Sequence, residues 1–252
     1  MKFHFMSSTH DQAQTRFAAL TERYGQTELA ECDVIIVLGG DGQMLHALRQ
    51  NLDHGKDLYG MNCGRVGFLM NDYEADNLEA RITAATRARI HPLRMTATDR
   101  AGNTHSALAF NEVSLLRQTH AAAHLTIAVN GSVEMDELIC DGVILSTSQG
   151  STAHNLSAHG PILPIRSNLL ALTPISAFRP RRWRGALLPD DCEVTFTVKE
   201  PDFRSQSISA DNMEFRDIVS ATIRQDNGYA ARILHDPHAS LADRIIKEQF
   251  SS

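Results

Sequence analysis

The chain has 252 residues, 42% of them hydrophobic, and a formal net charge of −6, enough apolar material for one large domain or two smaller ones with a real core. The acidic balance is spread along the chain, so there is no basic field for nucleic acid and no polybasic stretch for a membrane surface. No apolar run approaches the length of a bilayer span, MKFHFMSSTH lacks the apolar stretch of a signal peptide, and Cys32, Cys63, Cys140 and Cys192 form no CxxC pair; a small-molecule partner in a reducing cytoplasm is the expectation.

The first ninety or so residues alternate in type. A short strand (Lys2 to Met6) leads to a helix (Asp11 to Tyr24), a strand (Asp33 to Leu38), a helix (Gln43 to Arg49), a strand near Leu58 to Asn62, and a helix from Asn77 to Ala88. Such alternation predicts a parallel sheet covered by helices, with the ligand beyond the carboxyl ends of the strands. After Pro92 the texture changes to strand-like runs separated by turns at Asp99 to Asn103 and at the hairpin pair Asn130, Gly131. It resumes in Glu193 to Val198, Ser205 to Ser209 and Ile218 to Arg224. The last stretch, Leu241 to Phe250, reads as an amphipathic helix with Leu241, Ile245 and Ile246 on one side. The expected organisation is an α/β N-terminal domain with a parallel sheet, residues 1–91, completed by a C-terminal helix at 229–252, plus a β-rich C-terminal domain, residues 92–228.

The run DVIIVLGGDGQML at 33–45 is the most informative segment. A buried parallel strand stops at Gly39, Gly40 and Gly42, which permit a sharp turn and close ligand approach, and the helix that follows aims N–H groups at whatever sits there. A Walker-type loop would need Lys and then Ser or Thr, where this chain has Gln43 and Met44; a dinucleotide fingerprint would need a small residue where Leu45 stands. Asp41 is out of place at a phosphate-friendly turn unless it binds a metal, accepts a hydroxyl or takes a proton, and so it points to chemistry.

Two further segments carry polar groups in apolar settings. Asn111 and Glu112 interrupt the apolar strand Ala107 to Arg117, and read either as a bulge with internal hydrogen bonds or as a clamp on an adenine or ribose. In DGVILSTSQGSTAHNLSAHGPIL, from Asp141 to Leu163, a strand runs into Ser146, Thr147, Ser148, Gln149, Gly150, Ser151 and Thr152 before a short helix ending at Gly160 and Pro161. Capping alone needs one hydroxyl, so the surplus suggests a bound polyanion or sugar, the other reading being a plain Ser/Thr-rich turn. Late in the chain, Asp211 and Asn212 follow a strand and read as a turn or a ligand contact. The segment RPRRWRG, with Arg179, Arg181, Arg182, Trp183 and Arg184, reads as a surface or subunit contact, with phosphate binding as the alternative. The histidines show no HxxxH spacing enclosing a carboxylate, and His91, His105, His120 and His124 read as ordinary polar or partly buried positions.

Taken in order and spacing, GGDG at Gly39 to Gly42, the pair Asn111 and Glu112, and DGVILSTSQGSTAHNLSAHGP at Asp141 to Pro161 resemble the NAD kinase family over nearly the whole chain. The resemblance implies NAD kinase-like two-domain architecture, a homodimer or homotetramer, and transfer of the terminal phosphoryl group of ATP to the 2′-hydroxyl of the adenosine ribose of NAD, with Mg2+ arriving on ATP. It implies that Asp41 receives the hydroxyl proton and that Gly42 contacts the ligand beside it. It further implies that Asn111 and Glu112 hold the nucleotide, that Asp141 contacts the nicotinamide side, and that Thr152, Ala153, His154, Asn155, Leu156 and Ser157 form the adenosine-contacting run. Asp211 and Asn212 fall where the family places further polar contacts. The chain departs from the common pattern at His154 (usually Tyr), at Ser148 and Gln149 (a Pro and a small hydroxyl residue), at Ile139 (frequently Arg) and at His159 (in some members Gly), the last resembling members that use ATP as donor. Two rivals share parts of the pattern: a lipid or sugar kinase with the same GGDG turn, and an NAD(P)-sensing protein without turnover.

Overall fold

The structure, a computed structural model, describes residues 1–64, 67–181, 183–237, 242, 243, 245, 246 and 250. The first elements are β1 (Phe3–Ser7), α1 (Asp11–Tyr24), β2 (Val34–Gly39), α2 (Asp41–Gln50), β3 (Asp57–Asn62), α3 (Leu78–Ala84) and β4 (Thr86–Ile90). There follow β5 (Leu93–Asp99), β6 (Thr104–Ala109), β7 (Glu112–Arg117), β8 (Ala123–Val129), β9 (Ser132–Cys140), β10 (Gly142–Ser146), a 3-10 turn (Gln149–Thr152) and α4 (His154–Ser157). The rest are β11 (Leu169–Ile175), β12 (Ala186–Pro189), β13 (Glu193–Val198), β14 (Gln206–Ala210), β15 (Met213–Phe215), β16 (Ile218–Gln225) and β17 (Ala231–His235). The chain divides into two units, Met1–Ile90 with the chain from Gly228 onward, and His91–Asn227.

The first unit is built on a sheet of order β1-β2-β3-β17-β4. β1, β2, β3 and β17 run parallel and β4 runs antiparallel to β17, so the sheet is mixed and mostly parallel. The VIIVLG of β2 is buried at every position because the strand is paired on both sides and covered on both faces. In α1, Ala13, Phe17 and Leu20 fall at helical spacing and turn inward, where the first and last are fully buried. The helix stops at Gly25, whose left-handed φ of 76° lets its N–H close onto Thr21 O.

Two sequence expectations are corrected in this unit. The helix expected from Asn77 to Ala88 ends at Ala84, and β4 takes its tail because the sheet gains a strand there; Arg87 Nε reaches Asp57 Oδ2 at 2.9 Å, and Arg232 of β17 pairs with the same carboxylate. The stretch 229–252, expected as a helix, contributes strand β17 at Ala231–His235, inserted between β3 and β4, while residues 242, 243, 245 and 246 are helical as expected. Asn71 fastens it: its Nδ2 donates to Gly60 O (3.1 Å) and Leu234 O (3.0 Å), and its Oδ1 accepts the Asp236 N–H (3.0 Å). Tyr59 Oη and Arg81 Nη2 each donate to the Asp236 carboxylate at 2.6 Å. Of the apolar face expected on Leu241 to Phe250, Leu241 lies outside the described residues, Ile245 is buried and Ile246 is 54% exposed.

The second unit has two six-stranded sheets, β12-β11-β10-β7-β14-β15 and β6-β5-β16-β13-β8-β9, antiparallel throughout. Alternation aims one face of each into a shared core: Ala123, Leu125 and Ile127 of β8 and Val194, Phe196 and Val198 of β13 join Val113 and Leu115 of β7 and Val143 and Leu145 of β10. Each fully buried Leu, Ile or Phe contributes roughly 1.5–3 kcal/mol. The hairpin expected at Asn130 and Gly131 connects β8 to β9, and both residues take positive φ (49° and 80°), as a type I′ turn requires.

Candidate active site

In the first unit the carboxyl end of β2 delivers the chain to Gly40, extended at φ −115° and ψ −169°, and α2 begins at Asp41. None of Gly39, Gly40 and Gly42 has positive φ, so the turn does not need glycine for its backbone angles. Space is the reason. A Cβ at Gly39 would press on the Gln43 Cβ at 2.7 Å, whereas a Cβ at Gly40 or Gly42 would meet nothing within 4 Å. The last two positions border an open approach to the N-terminus of a ten-residue helix, where partial positive charge gathers.

Asp41 is held by a partner that sequence reasoning missed. Its Oδ2 accepts the Phe68 N–H at 2.8 Å and its Oδ1 accepts the Leu69 N–H at 2.9 Å. Gly67 stands so close that a Cβ there would lie 3.2 Å from Asp41 Oδ1. The carboxylate is thereby fixed in one orientation by two charge-assisted bonds. The signal available in the sequence was the glycine at position 67 just ahead of an apolar pair, a segment able to present successive N–H groups.

In the second unit, Asn111 lies in the corner between β6 and β7, which belong to different sheets, and Glu112 is the first residue of β7. Asp211, at φ 51° in the tight β14–β15 turn with Asn212, sends its carboxylate into this corner. Oδ2 accepts the Phe110 N–H at 2.9 Å, and Oδ1 accepts the N–H groups of Asn111 (2.9 Å) and Glu112 (3.3 Å). The Asp211 N–H returns a bond to Glu112 O at 3.1 Å.

Most of the hydroxyl surplus after β10 is bonded internally. Thr147 Oγ1 donates to Phe110 O (2.8 Å) and Gln149 Nε2 to the same carbonyl (2.7 Å), while Ser148 Oγ reaches Ser167 O (3.2 Å). Ser151 Oγ donates to Ser148 O (2.7 Å) and accepts the Leu163 N–H (2.9 Å). These side chains knit the turn to the Asn111 corner, because a buried hydroxyl or amide must find partners. Within Thr152 to Ser157, Asn155 is completely buried and both its amide hydrogens are taken, by Ser151 O (3.1 Å) and Pro161 O (2.9 Å), while Thr173 Oγ1 donates to its Oδ1 (2.7 Å). Among the described residues the Thr152 and Ser157 hydroxyls make no such commitment, and the half-buried His154 imidazole is pushed by burial toward its neutral form.

Glu112 is the electrostatic anomaly of this unit. Burial, and secondarily the Asp211 charge, push its carboxyl up to about 8, and its Oε2 has no partner among the described residues. Asp141 stands apart. It pairs with Arg117 (Nε to Oδ1, 2.6 Å) at the far end of β7 and β10, while Glu112 is opposite Ser146; at ~3.3 Å per strand residue the separation is roughly 16 Å. The structure therefore gathers Asn111, Glu112, Asp211, Asn212 and the 146–152 turn into one cluster and leaves Asp141 outside it. Asp41 and Gly42 belong to the other unit.

A model of the ATP-NAD kinase N-terminal domain matches residues 1–90, and one of the ATP-NAD kinase C-terminal domain matches residues 110–212. An NAD kinase of Hyphomonas neptunium is 53% identical over 251 residues, 100% of this chain and 98% of that one. An NAD kinase of Caulobacter vibrioides is 52% identical over 248 residues, 98% and 95% of the two chains. The chain belongs to the NAD kinase family. Its fold agrees: an NAD kinase from Archaeoglobus fulgidus solved with ATP superposes with a TM-score of 0.79 at 23% identity over 98% of both chains. Yeast NADH kinase solved with NADH gives a TM-score of 0.76 at 21% identity, over 86% of this chain and 65% of that one. Membership makes this chain a phosphotransferase with an alcohol group as acceptor. Among the described residues, no helix is long and apolar enough to cross a membrane.

Proposed function

We propose that this chain transfers the terminal phosphoryl group of ATP to the 2′-hydroxyl of the adenosine ribose of NAD, forming NADP, with Asp41 as the group that orients the hydroxyl and receives its proton. The reaction rests on family membership along the full chain. The role of Asp41 rests on one observation: a carboxylate locked by two N–H groups at a helix start, beside two positions without side chains that open to solvent. Phosphoryl transfer is governed by positioning and charge neutralisation rather than by a strong base, and a fixed carboxylate suits that demand.

No cluster of three or more His, Cys, Asp or Glu side chains able to hold a metal occurs among the described residues. Mg2+ would arrive on ATP, held by phosphate oxygens and water, where the ion would neutralise phosphate charge. Asn111, Glu112 and Asp211 with Asn212 act as the nucleotide-holding corner, with Asp211 serving it through the backbone. Thr152, His154 and Ser157 supply the side-chain contacts of the adenosine run, and Ala153, Leu156 and the Asn155 backbone shape it. Asp141 acts at a separate point, on the nicotinamide side. Four free, buried cysteines suit a reducing cytoplasm, and the working form is a homodimer or homotetramer. The deciding experiment is a coupled assay for NADP from NAD with Mg-ATP. NADP formation supports the reading; tight NAD binding without turnover, or faster phosphorylation of a lipid or free sugar, overturns it.

A further inference from the structure

The glycine turn at the end of β2 lacks the lysine with which many phosphate loops meet a triphosphate, since Gln43 and Met44 follow it. A side-chain cation meeting a triphosphate at this turn would come from another segment. Arg16, two turns into α1, is held by neutral groups. Its Nη1 donates to Asn62 O at 2.8 Å, its guanidinium carbon lies 4.0 Å from the centre of the Tyr73 ring, and the Gln12 amide, with its oxygen turned toward Nη2, accepts at 3.2 Å. Among the described residues no carboxylate lies within ion-pair distance of Arg16, whereas Arg23, Arg81, Arg87 and Arg232 of this unit all pair with aspartates.

The anchor places this charge beside the turn. Asn62 is the strand partner of Gly39, and the Cys63 N–H donates to Gly39 O at 2.8 Å, so the guanidinium is tethered one strand, about 5 Å, from the first glycine. Two of its five N–H groups are used to hold it, which leaves three for an incoming anion. A rigid planar donor fork with an uncompensated charge is built for phosphate oxygens.

We infer that Arg16 binds the phosphate chain of the nucleoside triphosphate donor, standing in for the lysine the glycine turn does not have. This rests on the phosphoryl-transfer reading above and adds the residue that recognises the donor.

The test compares Arg16→Met, which keeps an aliphatic stem over Tyr73 without the charge, with Arg16→Lys, which keeps the charge. Each is assayed for KM of ATP, KM of NAD, thermal midpoint and inhibition by inorganic tripolyphosphate. Arg16→Met is expected to raise KM for ATP and Ki for tripolyphosphate about 10- to 100-fold, with KM for NAD within about twofold, and Arg16→Lys to recover a substantial part of both. Unchanged tripolyphosphate inhibition in Arg16→Met, or equal loss in both variants with matching drops in thermal midpoint, would reduce Arg16 to a clamp between α1 and β3. If Arg16→Met does not fold, Arg16→Lys is read against Arg16→Gln: retained tripolyphosphate affinity in Arg16→Lys supports the inference, and loss equal to that of Arg16→Gln overturns it. Absence of NADP formation by the unaltered protein would instead strike the underlying reaction, so the two failures are told apart.

Discussion

Asp211 Oδ1 accepts the Asn111 N–H at 2.9 Å, joining the β14–β15 turn to a corner one hundred residues earlier in the chain. The same carboxylate also takes the neighbouring N–H groups on both sides, so it sets the shape of the corner instead of pointing to solvent. Asp211→Ala strands three backbone donors and should cost about 3 kcal/mol, seen as a lower urea midpoint, together with weaker NAD binding in calorimetry. An unchanged midpoint would mean that the corner is held by other bonds.

For Asp41→Asn the two roles of the carboxylate separate. Its amide nitrogen cannot accept from Phe68 or Leu69, so stability should fall by about 1–3 kcal/mol. Turnover should fall by about 10²–10⁴ while KM for NAD stays near its original value. Near-normal kcat in a folded variant would remove Asp41 from the chemistry.

Glu112 makes stability depend on pH. With its carboxyl near 8 in the folded protein against an ordinary value of 4.5, the native state holds a proton that the unfolded chain has released throughout that window. Stability therefore falls as pH rises from about 4.5 to about 8, by at most about 1.4 kcal/mol per unit. Glu112→Gln should flatten this slope, matching the unaltered protein near pH 5 and exceeding it by a few kcal/mol at pH 9. Parallel urea midpoints for the two proteins at pH 5, 7 and 9 would contradict this.

Glycines at 42 and 150 should respond in opposite ways. Gly42 lies inside α2 with nothing near its missing Cβ, so Gly42→Ala should raise stability by about 0.5–1 kcal/mol yet impair turnover by intruding on the open approach. At Gly150 a Cβ would run into the Asn111 backbone carbonyl, so Gly150→Ala should destabilise by more than about 3 kcal/mol or fail to accumulate. Thermal melts with steady-state kinetics on both variants check the contrast.

His159 occupies a left-handed position after α4, at φ 63°. Its N–H donates to Leu156 O and the Gly160 N–H to Asn155 O, closing the helix end. A glycine would adopt this backbone geometry without strain. His159→Gly should gain up to about 1 kcal/mol and leave the preference between ATP and polyphosphate unaltered; a switch of donor would restore a substrate role for this side chain.

Local pattern carried the strands and helices well where one period dominated: α1 was legible from Ala13, Phe17 and Leu20, and β2 from its unbroken apolar run. It failed where a distant partner decides. Residues 86–90 and 231–235 look helical or neutral alone and become strands because each supplies the other's hydrogen bonds. The Ser/Thr run after β10 resembled a ligand cradle because a hydroxyl committed to a carbonyl looks the same in sequence as one awaiting a sugar. Asp41 was singled out by its improbable setting, but its anchors Phe68 and Leu69 were not, since a backbone N–H leaves no trace in side-chain identity.

The placement of β17 has a consequence for biosynthesis. Because the strand that fills the gap between β3 and β4 comes after the whole second unit in the chain, the ribosome must translate past Ala231 before the N-terminal sheet can close. Until then β3 presents a bare hydrogen-bonding edge, the kind of surface on which nascent chains pair wrongly. The lobe that carries Asp41 is thus the first to emerge and the last to be finished, and a message cut short before that codon would yield an open-edged fragment for chaperones and proteases to handle.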